Sequence, residues 1–216
     1  MKIIIPARLG SKGLPFKNRK LFDFTAGIIP IDKQIDTWVT TNDDEIISKS
    51  ANYNFNIIKR PAKLSSDTTS LHSVISHALS EMEAKTDELI LVLYLTYPER
   101  TWKDVLGALD FFFEYYGKNI STSMLCRKET KTHPYLCLTE YGEEVFGRQF
   151  IQHDLYRRQD YPKCFELSHY ICLFRADTLF KLNNNLYNND TIFHKINDVI
   201  DIDTKDDLIK YGRSKN

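Results

Sequence analysis

No apolar run in this chain approaches the roughly 20 residues that a bilayer span requires, and the opening stretch Met1–Ala7 is far too short for a signal peptide. The expected location is therefore the cytoplasm, with no membrane partner. Cysteine is sparse: Cys126, Cys137, Cys164 and Cys172 lie 11, 27 and 8 positions apart. That spacing fits neither a zinc pattern nor a disulfide framework and reads as reduced core thiols. Charge of one sign is not in excess either, with 29 basic against 29 acidic residues, which leaves a general nucleic-acid surface without support. Repeats, low-complexity tracts and clear linkers are missing as well. The 216 residues suit a single domain, 1–216, with a sizeable core.

What the chain does have is charge sorted by position. Lys2, Arg8, Lys12, Lys17, Arg19 and Lys20 open the sequence with no acid among them, whereas Asp198, Asp201, Asp203, Asp206 and Asp207 crowd its end. The first pole suits phosphate and the second suits a metal. Lys2–Ile5 is a β-branched run stopped by Pro6, the pattern of a buried strand. Trp38–Thr41 and the almost wholly apolar Leu89–Leu95 predict further strands, the latter covered on both faces. Strands are also expected over 120–126 and 167–174. Helices are expected over Asp43–Asn54 and over Ser70–Ala84, where Leu71, Val74, Ile75, Ala78, Leu79 and Met82 recur at helical steps. Another starts at Thr101, paired with Asp104 as a capping box, with an apolar face of Val105, Leu106, Leu109, Phe112 and Phe113. A last helix follows Asp203. This alternation predicts an α/β fold, a three-layer doubly wound and mostly parallel sheet of Rossmann-like type, with ligands at the carboxyl ends of its strands.

The loop after the first strand, Pro6 to Asn18, sits where such a sheet places its ligand. Gly10 and Gly13 permit close backbone approach to an anion, Ser11 can donate, and Arg8, Lys12 and Lys17 can offset the charge of a triphosphate; a solvated basic turn is the plainer alternative. The P-loop string and the third glycine of a dinucleotide fingerprint are both absent. The string Ile5-Pro6-Ala7-Arg8, Gly10-Ser11-Lys12-Gly13 and Lys17-Asn18 resembles the signature of the acylneuraminate cytidylyltransferases, the CMP-sialic acid synthetases. Further segments agree in the same order: Val39-Thr40-Thr41-Asn42-Asp43, Arg60 to Thr68, Thr96 to Arg100, His133-Pro134, Arg158 to Pro162 and Asp201-Ile202-Asp203-Thr204.

The resemblance implies a nucleotide-diphospho-sugar transferase fold and transfer of CMP from CTP to the anomeric hydroxyl of an acidic 2-keto sugar. It gives Arg8, Ser11, Lys12 and Lys17 phosphate roles, with Arg8 contributing most, and brings Asn18 and Arg60 to the cytosine. Asp201 and Asp203, one residue apart, point the same way in an extended segment and can share Mg2+; capping of the closing helix is the alternative reading. Asp206 and Asp207 are expected to be helix-face acids. Asp67-Thr68 reads as the cap region of the helix near Ser70 in preference to a nucleotide contact. Arg158 and Gln159 match the family's R-Q pair, where Arg158 suits a carboxylate. A homodimer is implied too, through an excursion around 141–160. No protein nucleophile is needed, and no general base is evident.

Some segments depart from the family. Its L-L-Q-P-T-S-P stands here as Val92-Leu93-Tyr94-Leu95-Thr96-Tyr97-Pro98, and its F-R-P-N-G as Phe165-Glu166-Leu167-Ser168-His169. A cation and an amide are thus replaced where the sugar is expected. Tyr94, Tyr97 and His169 either build a different sugar surface or fill the core. Between Lys20 and Val39 the chain is short and holds Pro30, so a helix is expected there only after Pro30 or not at all. His133 is expected to be a surface or packing residue. Two alternatives stay open: the same chemistry on Kdo, legionaminic or pseudaminic acid, or a nucleotide-binding sensor without turnover.

Overall fold

A computed structural model describes residues 1–116, 122–141 and 146–214. The strands are β1 (Lys2–Pro6), β2 (Thr37–Thr41), β3 (Asn56–Lys59), β4 (Leu89–Val92), β5 (Ser123–Glu129), β6 (Leu138–Tyr141), β7 (Phe146–Gln149), β8 (Phe165–Arg175) and β9 (Thr191–Lys195). The helices are α1 (Lys17–Ala26), α2 (Ile31–Gln34), α3 (Asp44–Ala51), α4 (Leu71–Glu81), α5 (Trp102–Tyr116) and α6 (Lys205–Ser214). Among the described residues, seven strands join in the order β3-β2-β1-β4-β8-β5-β9. β8 runs antiparallel to both β4 and β5; the other pairings in this sheet are parallel. β6 and β7 form a separate antiparallel hairpin.

Alternation along β1 divides the core. Ile3 and Ile5 join Leu21, Phe22, Ile46, Val105 and Phe112 on the face covered by α1, α3 and α5. Ile4 turns to the other face, with Ile90, Val92, Ile75 of α4 and Leu179. Helices on both faces of a mostly parallel sheet make the three-layer architecture.

Several sequence expectations are corrected. The principal helix between Lys20 and Val39 precedes Pro30: α1 starts at Lys17 and buries Leu21, Phe22, Thr25 and Ala26 on one side. Pro30 instead starts the short α2, where its fixed φ is harmless. In α5 the buried stripe is Val105, Ala108 and Phe112, while Leu106 and Phe113 face outward. Ser70 caps α4 by accepting from the Ser73 amide, so Asp67 is not the cap. In front of α6 the capping box is Thr204 with Asp207, whose Oδ2 accepts from the Thr204 amide and hydroxyl. Asp207 is therefore a cap rather than a plain helix-face acid, and the Asp203 carboxylate is left out of the cap. Of the thiols, Cys126 and Cys172 are buried, and Cys137 and Cys164 are half-buried. Residues 120 and 121 of the expected 120–126 strand, and 142–145 of the 141–160 excursion, lie outside the described residues.

Candidate active site

Chain order runs from β1 outward to β2 and β3, then returns across β1 to β4. The direction of winding thus reverses between β1 and β4, where a doubly wound sheet opens a crevice beyond its strand ends. A cleft of about 350 Å³ lies there. It is lined by Arg8, Gly10, Ser11, Lys17 and Asn18 after β1 and by Arg60 after β3. Leu64, Leu71 and Val74 supply an apolar flank. Tyr94, Thr96 and Tyr97 after β4, His169 of β8, and Asp201 and Asp203 near the chain's end complete the wall.

The loop after β1 is built by its backbone. Gly10 adopts φ +83°, a left-handed value that side chains disfavour. Gly13 packs so tightly that a Cβ there would run into the Asp203 carbonyl oxygen. Asn18 spends one N–H on the Arg8 carbonyl at 2.9 Å, which ties the start of α1 to the loop and leaves its Oδ1 as an acceptor. Thr41 Oγ1 donates to the Ala7 carbonyl, and the Leu9 amide donates to Asn42 Oδ1 at 2.7 Å.

Each loop cation is held by an acid. Arg8 meets Asp67 Oδ1 at 2.6 Å and Lys12 meets Asp67 Oδ2 at 3.0 Å. Lys12, foremost, and Arg8 together hold the Asp67 carboxyl below its usual range. Lys17 reaches Asp203 Oδ1 at 2.5 Å. Arg60 differs, because among the described residues no carboxylate pairs with it. Its Nε and Nη2 donate to Thr40 Oγ1 and the Thr40 carbonyl. Burial first, and then the neighbouring Arg8, push its pKa down to about 10. A buried guanidinium of this kind, still charged at neutral pH, suits an anionic or carbonyl-bearing ligand.

On the opposite wall the Tyr97 hydroxyl donates to Asp201 Oδ2 at 2.8 Å, and Asp201 Oδ1 is buried with no hydrogen-bond partner among the described residues. The Ile202 amide donates to the Thr96 carbonyl at 2.9 Å and stitches the two segments together. Tyr94 and His169 lie with ring centroids 5.3 Å apart, and burial drives the Tyr94 phenol well above its ordinary pKa. The side chain of the fully buried Arg100 donates to the Tyr94 and Tyr170 carbonyls and to Thr25 Oγ1.

The donor set fits magnesium. Among the described residues no three His, Cys, Asp or Glu converge as a complete metal cage. Magnesium needs only one or two carboxylates when phosphate oxygens fill the remaining positions. Asp201 and Asp203 share the cleft, and an orphaned carboxylate oxygen such as Asp201 Oδ1 is costly without a cation or donor.

Of the residues selected from sequence, Arg8, Gly10, Ser11, Lys17, Asn18, Arg60, Tyr94, Asp201 and Asp203 therefore share one cleft. Lys12 does not line it, and its side chain is 84% exposed beside Asp67. Arg158 and Gln159 are exposed in a short turn at 158–160, also outside the lining. Glu166 is outside it too and engages Thr130, Lys131 and Lys128. His133 packs with Tyr135 and Tyr161. The roles of Asp67, Tyr97 and Arg100 were not drawn from the sequence, since each depends on a partner distant along the chain or on burial.

No protein-family model matches the chain. It is 31% identical over 205 residues to post-translational flagellin modification protein B of Campylobacter coli, covering 88% of this chain and 81% of that protein. It is 25% identical over 217 residues to the N-acylneuraminate cytidylyltransferase of Streptococcus agalactiae serotype V, covering 95% of this chain. The chain spans about half the length of the curated Streptococcus relatives, 51% in each. Among solved structures, CMP:2-keto-3-deoxy-manno-octonic acid synthetase complexed with CTP superposes with TM-score 0.66 at 15% identity, covering 99% of this chain and 97% of that one. A cytidylyltransferase from Leptospira borgpetersenii gives 0.58 at 17% identity, covering 100% and 87%. These structural likenesses establish the nucleotide-diphospho-sugar transferase fold. Among the described residues no helix is long and apolar enough to cross a membrane.

Proposed function

Since the chain belongs to the acylneuraminate cytidylyltransferase family, we propose that it transfers CMP from CTP to the anomeric hydroxyl of an acidic 2-keto sugar and releases pyrophosphate. The observation that carries this reading is the convergence of Arg8, Lys17 and Arg60 with Asp201 and Asp203 in one cleft at the switch point of the sheet. Arg8 and Lys17 hold the triphosphate and stabilise charge on the departing pyrophosphate. Their effect is largest in the transition state, because charge grows on the leaving oxygens there. Gly10 and Ser11 bring the backbone close to the phosphates, and Lys12 adds charge at the rim. Asn18, through its Oδ1 acceptor, and Arg60 orient the cytosine. The sugar hydroxyl attacks the α-phosphorus in line and no protein nucleophile takes part, so positioning does most of the work.

Asp201 and Asp203 hold Mg2+. When bound, it screens the phosphate oxygens and lowers the pKa of an oxygen it contacts. Tyr94 and His169 form the sugar-facing wall, where they stand in place of the family's glutamine and glycine. A sialic-acid-like sugar is the first substrate to test; Kdo, legionaminic and pseudaminic acids share the reacting group. We further propose a homodimer through the hairpin β6–β7 and the segment after it. Large apolar side chains stand exposed there, among them Leu138, Phe150 and Tyr156. Arg158 and Gln159 follow this segment and would meet the sugar carboxylate only in that assembly. The reaction belongs in the cytoplasm, where CTP is made.

The test is pyrophosphate release from CTP and Mg2+ across a panel of sialic, legionaminic, pseudaminic and Kdo sugars, with Asp203→Ala as control. Turnover with one sugar, lowered about 100-fold or more in the control, supports the reading. CTP binding without turnover on any sugar replaces it with a nucleotide sensor.

A further inference from the structure

Two oxygens of one carboxylate are treated differently in the cleft. Asp201 Oδ2 accepts from the Tyr97 hydroxyl, whereas Oδ1 is buried and unpartnered among the described residues. Behind Tyr97 stands a second hydroxyl: Ser168 Oγ donates to the Tyr97 oxygen at 3.4 Å and itself accepts from the Tyr170 amide at 3.3 Å. The direction of this chain is fixed. An amide can only donate, so the Ser168 proton points onward to Tyr97, and the single phenolic proton must then go to Asp201. Tyr97, Ser168 and Tyr170 are each at most 4% exposed, so water does not compete for these bonds. The ring of Tyr97 is held edge-on to Tyr170 at 5.3 Å, and the backbone beside Asp201 is tied to Thr96. Purely structural packing would leave a buried carboxylate with both oxygens satisfied. Here one is satisfied and the other withheld, which costs stability unless a cation takes it.

Resting on the cytidylyltransferase reading and its two-carboxylate magnesium site, we propose that Tyr97 is a positioning residue: its hydroxyl, oriented by Ser168, fixes the Asp201 carboxylate so that Oδ1 remains the metal-binding oxygen. Tyr97 touches neither nucleotide nor sugar in this role and acts through Asp201. Both halves of the device lie in segments where this sequence departs from the family pattern, with Tyr97 in place of serine and Ser168 in place of asparagine.

Mn2+ binding, read by paramagnetic resonance in the presence of CTP, tests the assignment. Tyr97→Phe keeps the ring and its contact with Tyr170 and deletes only the hydroxyl. The Kd for Mn2+ is expected to rise about 10-fold, the usual cost of losing a hydrogen bond to a metal ligand. CTP affinity without metal should be unchanged. In turnover, the Mg2+ concentration for half-maximal rate should rise by a similar factor while kcat at saturating Mg2+ stays within about twofold. Ser168→Ala should move the Mn2+ Kd in the same direction by a smaller factor, and it stands in should Tyr97→Phe fail to fold. Unchanged Mn2+ affinity in the variants, or an equal loss of metal-free CTP affinity, overturns the proposal and leaves the cytidylyltransferase reading intact. A wild-type protein that binds CTP but no Mn2+ overturns the magnesium site itself, and with it this role for Tyr97.

Discussion

Replacing Arg100 by Met sets two large effects against each other, and the structure decides which wins. Arg100 is 2% exposed, and among the described residues no carboxylate is bonded to its guanidinium. Its bonds run to the Tyr170 carbonyl at 2.7 Å, the Tyr94 carbonyl at 2.7 Å and Thr25 Oγ1 at 2.9 Å. Burial lowers its pKa to about 10, which corresponds to roughly 3 kcal/mol against the charged form; the group nevertheless stays protonated at neutral pH. Met would recover that penalty and fill most of the volume. It would also strip charge-assisted bonds worth about 1.5–3 kcal/mol each from three buried acceptors. The losses exceed the recovery, for a net destabilisation of about 3 kcal/mol. In a chain of this length that lowers Tm by roughly 6–12 °C. Urea denaturation at pH 7 with wild type, Arg100→Met and Arg100→Lys is the assay, and Lys, which can reach fewer acceptors, should fall between the two. A Met variant as stable as wild type, or more so, would refute the reasoning. It would mean that desolvation governs, as at buried ion pairs that tolerate apolar replacement.

The remaining predictions concern the cleft. Gly13→Ala places a Cβ against the Asp203 carbonyl, and should cost about 1–3 kcal/mol by thermal melting while raising the Mg2+ requirement; a silent variant would mean that the loop can step back from the 201–203 segment. Asp67→Asn frees Arg8 and Lys12 from the carboxylate that bridges them. Pyrophosphate affinity measured by calorimetry should then improve roughly threefold to tenfold, by less at high salt, whereas weaker binding would show that Asp67 serves to aim Arg8.

The fold was legible wherever pattern and burial agree. Lys2–Ile5 and Leu89–Leu95 announced strands because both faces of a central strand are covered, and the period over 70–84 announced α4. The reversal of β8 was not legible, since an apolar run buried on both sides looks the same in either direction. α1 was hidden by composition: Lys17, Arg19 and Lys20 crowd its first turn, where cations oppose the helix dipole. What offsets them is the packing of Leu21, Phe22 and Ala26 together with ion pairs from Lys17 to Asp203 and from Arg19 to Asp43 and Glu45, all distant along the chain. In α5 the run Phe111-Phe112-Phe113 blurred the stripe. The cleft was legible where its parts are contiguous, as from Arg8 to Asn18. It was not where contacts cross the chain, such as Tyr97 with Asp201, 104 positions apart, or Arg8 with Asp67.

Those cross-chain contacts determine how the cleft meets its ligands. In the free protein Arg8 and Lys17 are already neutralised, by Asp67 and Asp203 respectively, so a triphosphate must exchange partners with acids instead of meeting bare cations. For Lys17 the exchange has a second consequence. On the proposed reaction, a phosphate that draws its ammonium away would release Asp203, one of the two carboxylates proposed to hold magnesium. If both bind as proposed, nucleotide and metal compete with the same ion pair, and by linkage each raises the affinity for the other. Arg60, buried and with no carboxylate partner among the described residues, would need no such exchange to meet a nucleotide.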